Sequence, residues 1–445
     1  MGHLRNLKAE YRELLSRWEG GPMAMPEPNE ARARKGWQEI LEIMFSPEEA
    51  ALASRLPLMP ASPASLETLA QRVGLPPNEL RTRLEPMADK GIIIDLVDPR
   101  NGETKYLLAQ PFIGFFEFAL MRVEDNIPKK RMAEALEAYI YGDDTFAKEV
   151  FAGETAWSRS LVHESALPQD DVPDVLDWER ATAIIDEAQT ISVKNCYCRH
   201  KAEHVGKRCD VPIEVCLSLN EFADFTARRG FGRFIEKAEA KDILTASRES
   251  GLVQTADNFK NRPYFICNCC GCCCDLLSAI NVFGLPAVNP SGFQPVSDLN
   301  RCKGCSRCSR ACPITAISMV AQRTAAKQKN ELVPRIDRDR CVGCGVCVGA
   351  CRNKAMRMER RSEQPYVPTD LIERTVRIAL ERGRLADLLF DAAATRGGRF
   401  LNGVVRALCA IPQAKKALAS EQVRSRFLNY AIKNIRGSNG IPADH

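Results

Sequence analysis

The residues best able to do chemistry in this chain are its cysteines, 18 of whose 19 lie between Cys196 and Cys351. Two runs repeat one spacing. Cys302, Cys305, Cys308 and Cys312 form a C-x2-C-x2-C-x3-C motif, and Cys341, Cys344, Cys347 and Cys351 form a second. Three thiolates on one tight loop can converge on three irons of a single cubane, and Gly304, Gly343 and Gly345 let the backbone wrap around it. Zinc takes four ligands in a tetrahedron, and paired C-x2-C units would suit it. Three evenly spaced cysteines with a fourth beyond them, given twice, are not that pattern. Two 4Fe-4S clusters are expected here.

The segment resembles the small two-cluster bacterial ferredoxins, in which the fourth cysteine of each motif ligates the other cluster. The resemblance assigns Cys302, Cys305, Cys308 and Cys351 to cluster I, and Cys341, Cys344, Cys347 and Cys312 to cluster II, within one pseudo-symmetric βαββαβ unit. It departs from the pattern at Arg352, where proline usually stands, and in a longer interval between Cys312 and Cys341, which reads as an extended hairpin. Residues 298–361 carry 15 Lys or Arg against 5 Asp or Glu, a formal +10. Positive charge beside a cluster favours its reduced form, and such a surface would steer an acidic redox partner. A solvated basic face is the plainer reading of the same charges.

Ten more cysteines precede this segment: Cys196, Cys198, Cys209 and Cys216, then Cys267, Cys269, Cys270, Cys272, Cys273 and Cys274. The last six fall within eight residues, which no ordinary core tolerates without a ligand. Metal binding by one or two additional iron–sulfur clusters is expected, with zinc the lesser alternative. Their grouping stays open. One division gives Cys196, Cys198, Cys209 and Cys216 to one site and the dense run to another. A shared arrangement is equally compatible, because Gly271 lets the run turn and present thiols to both sides, and a non-cubane cluster is a third option. His200 and His204, four apart, can share a helical face and complete a zinc site, although such a pair is more often a surface feature. Cys409 stands alone among Leu and Val and reads as a buried free thiol.

The surrounding elements read as an α+β, multidomain chain. Residues 1–45 form an N-terminal helical extension. Residues 46–110 carry three helices, started by Ser46-Pro47 with Glu49 closing a capping box, by Ser65 and by Asn78, the last two ended by Gly74 and Gly91. Apolar Leu80, Leu84, Met87 and Ala88 share a face of the third, which Pro86 interrupts. Strand-like runs 92–97 and 104–108 flank the turn Asp98 to Gly102. Helices followed by a hairpin in this order resemble a winged helix-turn-helix. Residues 111–190 read as a helical linker region broken at Pro168 to Pro173, residues 191–295 as a cysteine-rich cluster-binding domain, residues 296–361 as the two-cluster ferredoxin-like domain, and residues 362–445 as a helical C-terminal tail.

The chain as a whole is similar to the winged-helix-fused 4Fe-4S ferredoxin-type dicluster proteins of anaerobic bacteria and archaea, over residues 40–361. The likeness rests on Cys196-x-Cys198-Arg199, Cys209-x6-Cys216-Leu217, the run Ile266 to Cys274, the twin motif, and Phe115-Phe116-Glu117-Phe118. It implies an iron–sulfur electron carrier without naming a substrate.

Electron transfer is accordingly the leading expectation: single electrons relayed between redox partners, an acidic ferredoxin or flavodoxin or a larger oxidoreductase complex. No G-x-G-x-x-G or Walker motif supplies a nucleotide or flavin site of its own. A catalytic oxidoreductase acting through an unusual cluster at residues 196–274 is the alternative, as is a redox-sensing DNA-binding regulator. DNA binding is disfavoured because Arg81, Arg83 and Lys90 on the candidate recognition helix are offset by Glu79, Glu85 and Asp89. With 45% hydrophobic and 27% charged residues, no apolar run long enough to span a bilayer and no signal-like start, a cytoplasmic, anaerobic setting is expected.

Overall fold

The computed structural model describes residues 7–59, 63–98, 101–122, 127–167, 176–323, 330–385 and 387. These divide into two compact units. One takes the described residues up to Thr155 together with those from Pro368 on; the other is Ala156–Val367. The expected linker region is thereby split at Thr155, and the cysteine-rich and ferredoxin-like segments fall in one unit rather than two.

In the first unit, helix Pro47–Ala53 begins at a complete capping box. Ser46 Oγ accepts from Glu49 N at 3.1 Å, and the Glu49 carboxylate accepts from Ser46 N at 2.8 Å. Strand β1 (Ala64–Ser65) leads into helix Leu66–Val73, capped by Ser65 and ended by Gly74 in the left-handed region. The next helix is Pro77–Lys90, with Pro76 rather than Asn78 at its N-cap. Proline is pre-set for the first helical turn, where its missing N–H costs nothing, so the helix starts before the asparagine. Pro86 sits inside this helix without ending it. The expected buried face, Leu80, Leu84, Met87 and Ala88, is the observed one. Strands β2 (Ile93–Val97) and β3 (Thr104–Leu108) then form the hairpin, with sheet order β1-β3-β2. Further helices complete the unit. Gly36 and Gly142 allow helices Ala31–Met44 and Lys129–Gly142 to touch: a Cβ on Gly36 would stand 2.4 Å from Ala135 O. Helix Leu371–Glu381 lies in the described part of the C-terminal region. Cys409 lies outside the described residues.

The second unit is built on a seven-stranded sheet that the sequence reading did not anticipate. Its strands are β4 (Ser158–Ser160), β5 (Ile191–Asn195), β6 (Glu214–Leu219), β7 (Gly232–Phe234), β8 (Val253–Asp257), β9 (Phe265–Cys269) and β10 (Val288–Asn289), in the order β10-β4-β8-β9-β6-β5-β7. Helices Ala181–Glu187 and Lys237–Glu249 cover one face. Ile184, Ile185 and Leu244 pack there against Ile191, Val193, Leu217, Leu219, Ala256 and Ile266. Side chains alternate across a strand, so burying Leu217 and Ile266 on that face sends Cys216, Cys267 and Cys269 to the other. Register aligns them further: Leu217 pairs with Ile266, Cys216 with Lys194, and Cys267 with Thr255.

The ferredoxin-like part of the unit is β11 (Phe293–Ser297), helix Arg307–Ala311, β12 (Ile317–Arg323), β13 (Asn330–Ile336), helix Val346–Gly349 and β14 (Met356–Arg360). This is the expected βαββαβ order, with β11 against β14 and β12 against β13, both antiparallel. The two halves repeat in detail. Cys302 N and Cys341 N each donate at 3.0 Å, to Asp298 O and Asp337 O, and those aspartates donate at 2.8 Å to Ala355 O and Ala316 O. Seven-residue strands β12 and β13 form the expected extended hairpin. No helix among the described residues is long and apolar enough to cross a membrane.

Candidate iron–sulfur centres

In the ferredoxin-like segment the motif loops turn through left-handed backbone at Gly304, Gly343 and Gly345. Gly345 precedes helix Val346–Gly349, and Ser306 adopts the same conformation before helix Arg307–Ala311. The thiols then converge across the two halves. Burial, and the charges of Cys302 and Cys351, raise Cys308. Cys341, Cys344 and Cys347 are raised by burial and all feel Cys312. A small cavity is lined by Cys302, Cys305, Cys308 and Cys351 together. Backbone N–H groups already point at sulfur: Gly304 at Cys302 (3.5 Å), Ala316 at Cys312 (3.2 Å) and Ala355 at Cys351 (3.3 Å). Donors of this kind stabilise the extra negative charge of a reduced cluster. Both four-thiol sets therefore suit a cubane with crossed fourth ligands.

The two sets differ in setting. Cys305 is exposed, and Arg301, Lys303, Arg310, Arg352 and Lys354 are exposed beside the first set. Cys341, Cys344 and Cys347 are buried. Their loop is held by His163 N donating to Cys344 O (3.0 Å), Ser291 Oγ to Gly343 O (2.7 Å), and Arg361 Nη2 to Cys341 O (2.7 Å).

The other ten cysteines separate into a four and a six. Cys209, Cys270, Cys272 and Cys273 bring all four sulfurs within 4.8 Å of one another. Beside Cys273 and Arg199, the Cys270 thiol is held down to about 4, while burial and the Cys270 charge push Cys272 up to about 12. The remaining six form a ring in which each thiol shifts the titration of its two neighbours: Cys196, Cys198, Cys274, Cys269, Cys267, Cys216 and back to Cys196. Two come from helix N-caps, Cys196 before Tyr197–His204 and Cys274 before Asp275–Phe283. Cys198 lies in the first of these helices, and the other three lie on β6 and β9. Burial raises Cys198, Cys196 raises Cys216, and Cys216 in turn raises Cys267, while Cys196 is held down. Five of the six are buried and Cys267 is half-buried, so the group could be held as thiolates only beside a compensating cation, which a metal cluster would supply.

The division that joined Cys196, Cys198, Cys209 and Cys216 in one site does not match this structure. Cys209 belongs with the dense run, and the other three with Cys267, Cys269 and Cys274. The run does present thiols to both sides, the change falling between Cys269 and Cys270 and again between Cys273 and Cys274, with residues 271–273 in a turn. A Cβ at Gly271 would stand 2.1 Å from Pro313 O, so glycine lets the run lie against the residue after Cys312. Asn281 Nδ2 ties the contact, donating to Gly271 O (3.3 Å) and Pro313 O (2.9 Å). His200 and His204 face each other, Nε2 to Nε2 at 3.2 Å, and join neither cysteine group.

Of the charged residues around the six-thiol ring, only Arg199 stands in a motif quoted from the sequence. Arg199, with no exposed surface, donates to Asn268 O (2.7 Å) and Pro212 O (3.0 Å) and feels Cys196, Cys216 and Cys269 of the ring and Cys270 of the other group. Lys201 Nζ meets Asp275 Oδ1 at 2.5 Å in an ion pair 2% and 1% exposed, and Tyr197 Oη donates to Asp275 Oδ2. Lys194 donates to Ser218 Oγ and bears on Cys267. The only sequence signal was adjacency: Tyr197, Arg199 and Lys201 interleave with Cys196 and Cys198, and Asp275 follows Cys274.

No curated protein and no solved structure matches this chain. Residues 301–364 match the family described as the 4Fe-4S dicluster domain. That stretch holds both four-cysteine motifs on one pseudo-symmetric fold, and it is a ferredoxin-type iron–sulfur domain.

Proposed function

We propose that the chain is an iron–sulfur electron-transfer protein that passes single electrons from a docked partner through two 4Fe-4S clusters to a further cluster in the six-thiol ring. Cys302, Cys305, Cys308 and Cys351 would hold the first cubane, and Cys341, Cys344, Cys347 and Cys312 the second. One observation carries the reading: Gly271, in the loop between Cys269 and Cys274 of the ring, lies against Pro313, next to Cys312. The ferredoxin ligands thereby meet the second cysteine system through backbone contact. Direction follows from exposure. The first set opens to solvent among cations that would attract an acidic ferredoxin, a flavodoxin or an acidic face of an oxidoreductase complex, whereas Cys341, Cys344 and Cys347 of the second are buried. All 18 described cysteines are free, as suits a reducing compartment, and an anaerobic cytoplasm fits the chemistry.

The first unit is best read as a winged-helix domain serving as a protein-docking module. Its helix–strand–helix–helix–hairpin order and β1-β3-β2 sheet support that reading. A DNA-binding role is disfavoured by pairing of cations on helix Pro77–Lys90: Arg83 with Glu79 at 2.5 Å and Lys90 with Glu49 at 2.6 Å.

A catalytic reading of the ring has one observation in its favour. Six thiols exceed the four that a cubane takes, and a buried Tyr197–Asp275–Lys201 network stands beside them. The test common to both readings is iron and acid-labile sulfide per chain on anaerobically purified protein, with an EPR redox titration. More than about eight irons and a third reducible signal are expected, two cubanes accounting for about eight. About eight irons with only two signals, both unchanged in a Cys216→Ser/Cys267→Ser variant, would take the ring out of the relay. A third signal that shifts when a reducible substrate is added would favour catalysis at the ring.

A further inference from the structure

The two kinds of cysteine site differ in scale. In the four-thiol group the sulfur contacts Cys209–Cys270, Cys209–Cys273 and Cys272–Cys273 are each 3.7 Å. A single ion bound tetrahedrally by thiolates at about 2.3 Å sets its sulfurs about 3.8 Å apart, because a tetrahedron's edge is about 1.6 times its centre-to-vertex distance. Thiolates on a cubane stand on four different irons and project outward from them, which puts them about 6 Å apart. Among the described residues no other set of three or more metal-binding side chains draws within 4.8 Å, so the eight ferredoxin cysteines and the six-thiol ring are more open. One fold thus carries both spacings.

From this difference we propose that Cys209, Cys270, Cys272 and Cys273 bind a single tetrahedral zinc ion rather than an iron–sulfur cluster. The set is closed, with four protein thiolates and no open position, as structural zinc sites are. Its chain pattern also fits a clasp. Cys209 comes from the loop after helix Tyr197–His204, and the other three from the loop between β9 and helix Asp275–Phe283. Closing that clasp fixes the loop that rests on Pro313, and it holds Cys269 and Cys274, which flank the loop and belong to the ring. Arg199 lies buried beside Cys270 and offsets part of the net negative charge of a zinc tetrathiolate. The ion would be redox-inert. It would place the ring against the ferredoxin domain without carrying electrons itself.

The test is metal analysis of the anaerobically purified full-length protein with zinc K-edge X-ray absorption. One zinc per chain is expected, with four sulfurs at about 2.3 Å and no metal–metal scattering. Cys272→Ser, at the exposed ligand, should lower zinc occupancy several-fold while iron content and the ferredoxin EPR signals persist. Iron–iron scattering without zinc, or loss of about four irons on Cys209→Ser, would overturn the proposal. A single tetrathiolate iron would likewise overturn the zinc assignment. If Cys272→Ser fails to fold, the wild-type absorption spectrum decides alone. The relay is read from EPR and this site from zinc, so either reading can fail without the other.

Discussion

Gly271→Ala should disturb the junction between the cysteine-rich region and the ferredoxin domain more than any change of similar size nearby. The added Cβ would sit 2.1 Å from Pro313 O and 2.9 Å from its Cα and carbonyl carbon. Such a contact belongs above about 3 Å, so Pro313 must retreat by roughly 1 Å and draw Cys312 with it. Gly271 is not among the glycines in the left-handed region, so alanine adds no backbone strain and the cost is one of packing. Overpacking of this kind costs about 1–3 kcal/mol. With a urea dependence of roughly 3 kcal/mol per molar, the unfolding midpoint should fall by about 0.3–1 M. The assay is anaerobic urea unfolding followed by cluster absorbance and by the fluorescence of Trp157 and Trp178. EPR of the cluster ligated by Cys312 should change in the same sample. Gly349→Ala is the control, since no atom lies within 4 Å of its added Cβ and its helix can only gain. Equal midpoints and identical EPR spectra for the two variants would refute the packing argument and the contact on which the relay depends.

Three further outcomes are expected. Cys351→Ser should alter the EPR signal of the cluster formed by the first motif and Cys312→Ser that of the second; the reverse pattern would end the crossed assignment. Arg361→Gln removes a cation that donates to Cys341 O. At an effective dielectric near 20 and a separation of about 8–15 Å the lost attraction is about 1–2 kcal/mol, so the potential of the second cluster should drop by roughly 40–90 mV in a redox titration while the first barely moves. Asp275→Asn leaves Lys201 buried beside an uncharged partner and should cost about 3–5 kcal/mol in anaerobic denaturation of the loaded protein. A loss below about 1 kcal/mol would mean that the ring's own negative charge already balances the lysine.

Features fixed by near neighbours in the chain were legible without coordinates. Ser46 and Glu49 form their capping box three residues apart, Gly102 N donates to Asp98 O where β2 gives way to β3, and each cysteine motif wraps one loop. Short spacing makes these arrangements almost independent of what surrounds them. Asn78 misled because Pro76 and Pro77, fixed in φ, start the helix earlier. The seven-stranded sheet escaped notice for a related reason. Strands such as β9, Phe-Ile-Cys-Asn-Cys, spend their polar positions on ligands and not on solvent, so the usual apolar–polar alternation is hidden.

What the chain determined by itself is that the twin motif makes a ferredoxin-type domain and that ten further cysteines crowd together ahead of it. The partition of the other ten cysteines needed the tertiary structure. Cys269 and Cys270 are adjacent yet belong to different groups, and Cys209 meets Cys273 across 64 residues. The buried Lys201–Asp275 pair spans 74. Those pairings follow from which face of the sheet was buried and which loop came to rest on Pro313. Both are set by long-range packing and register, which spacing along the chain does not encode.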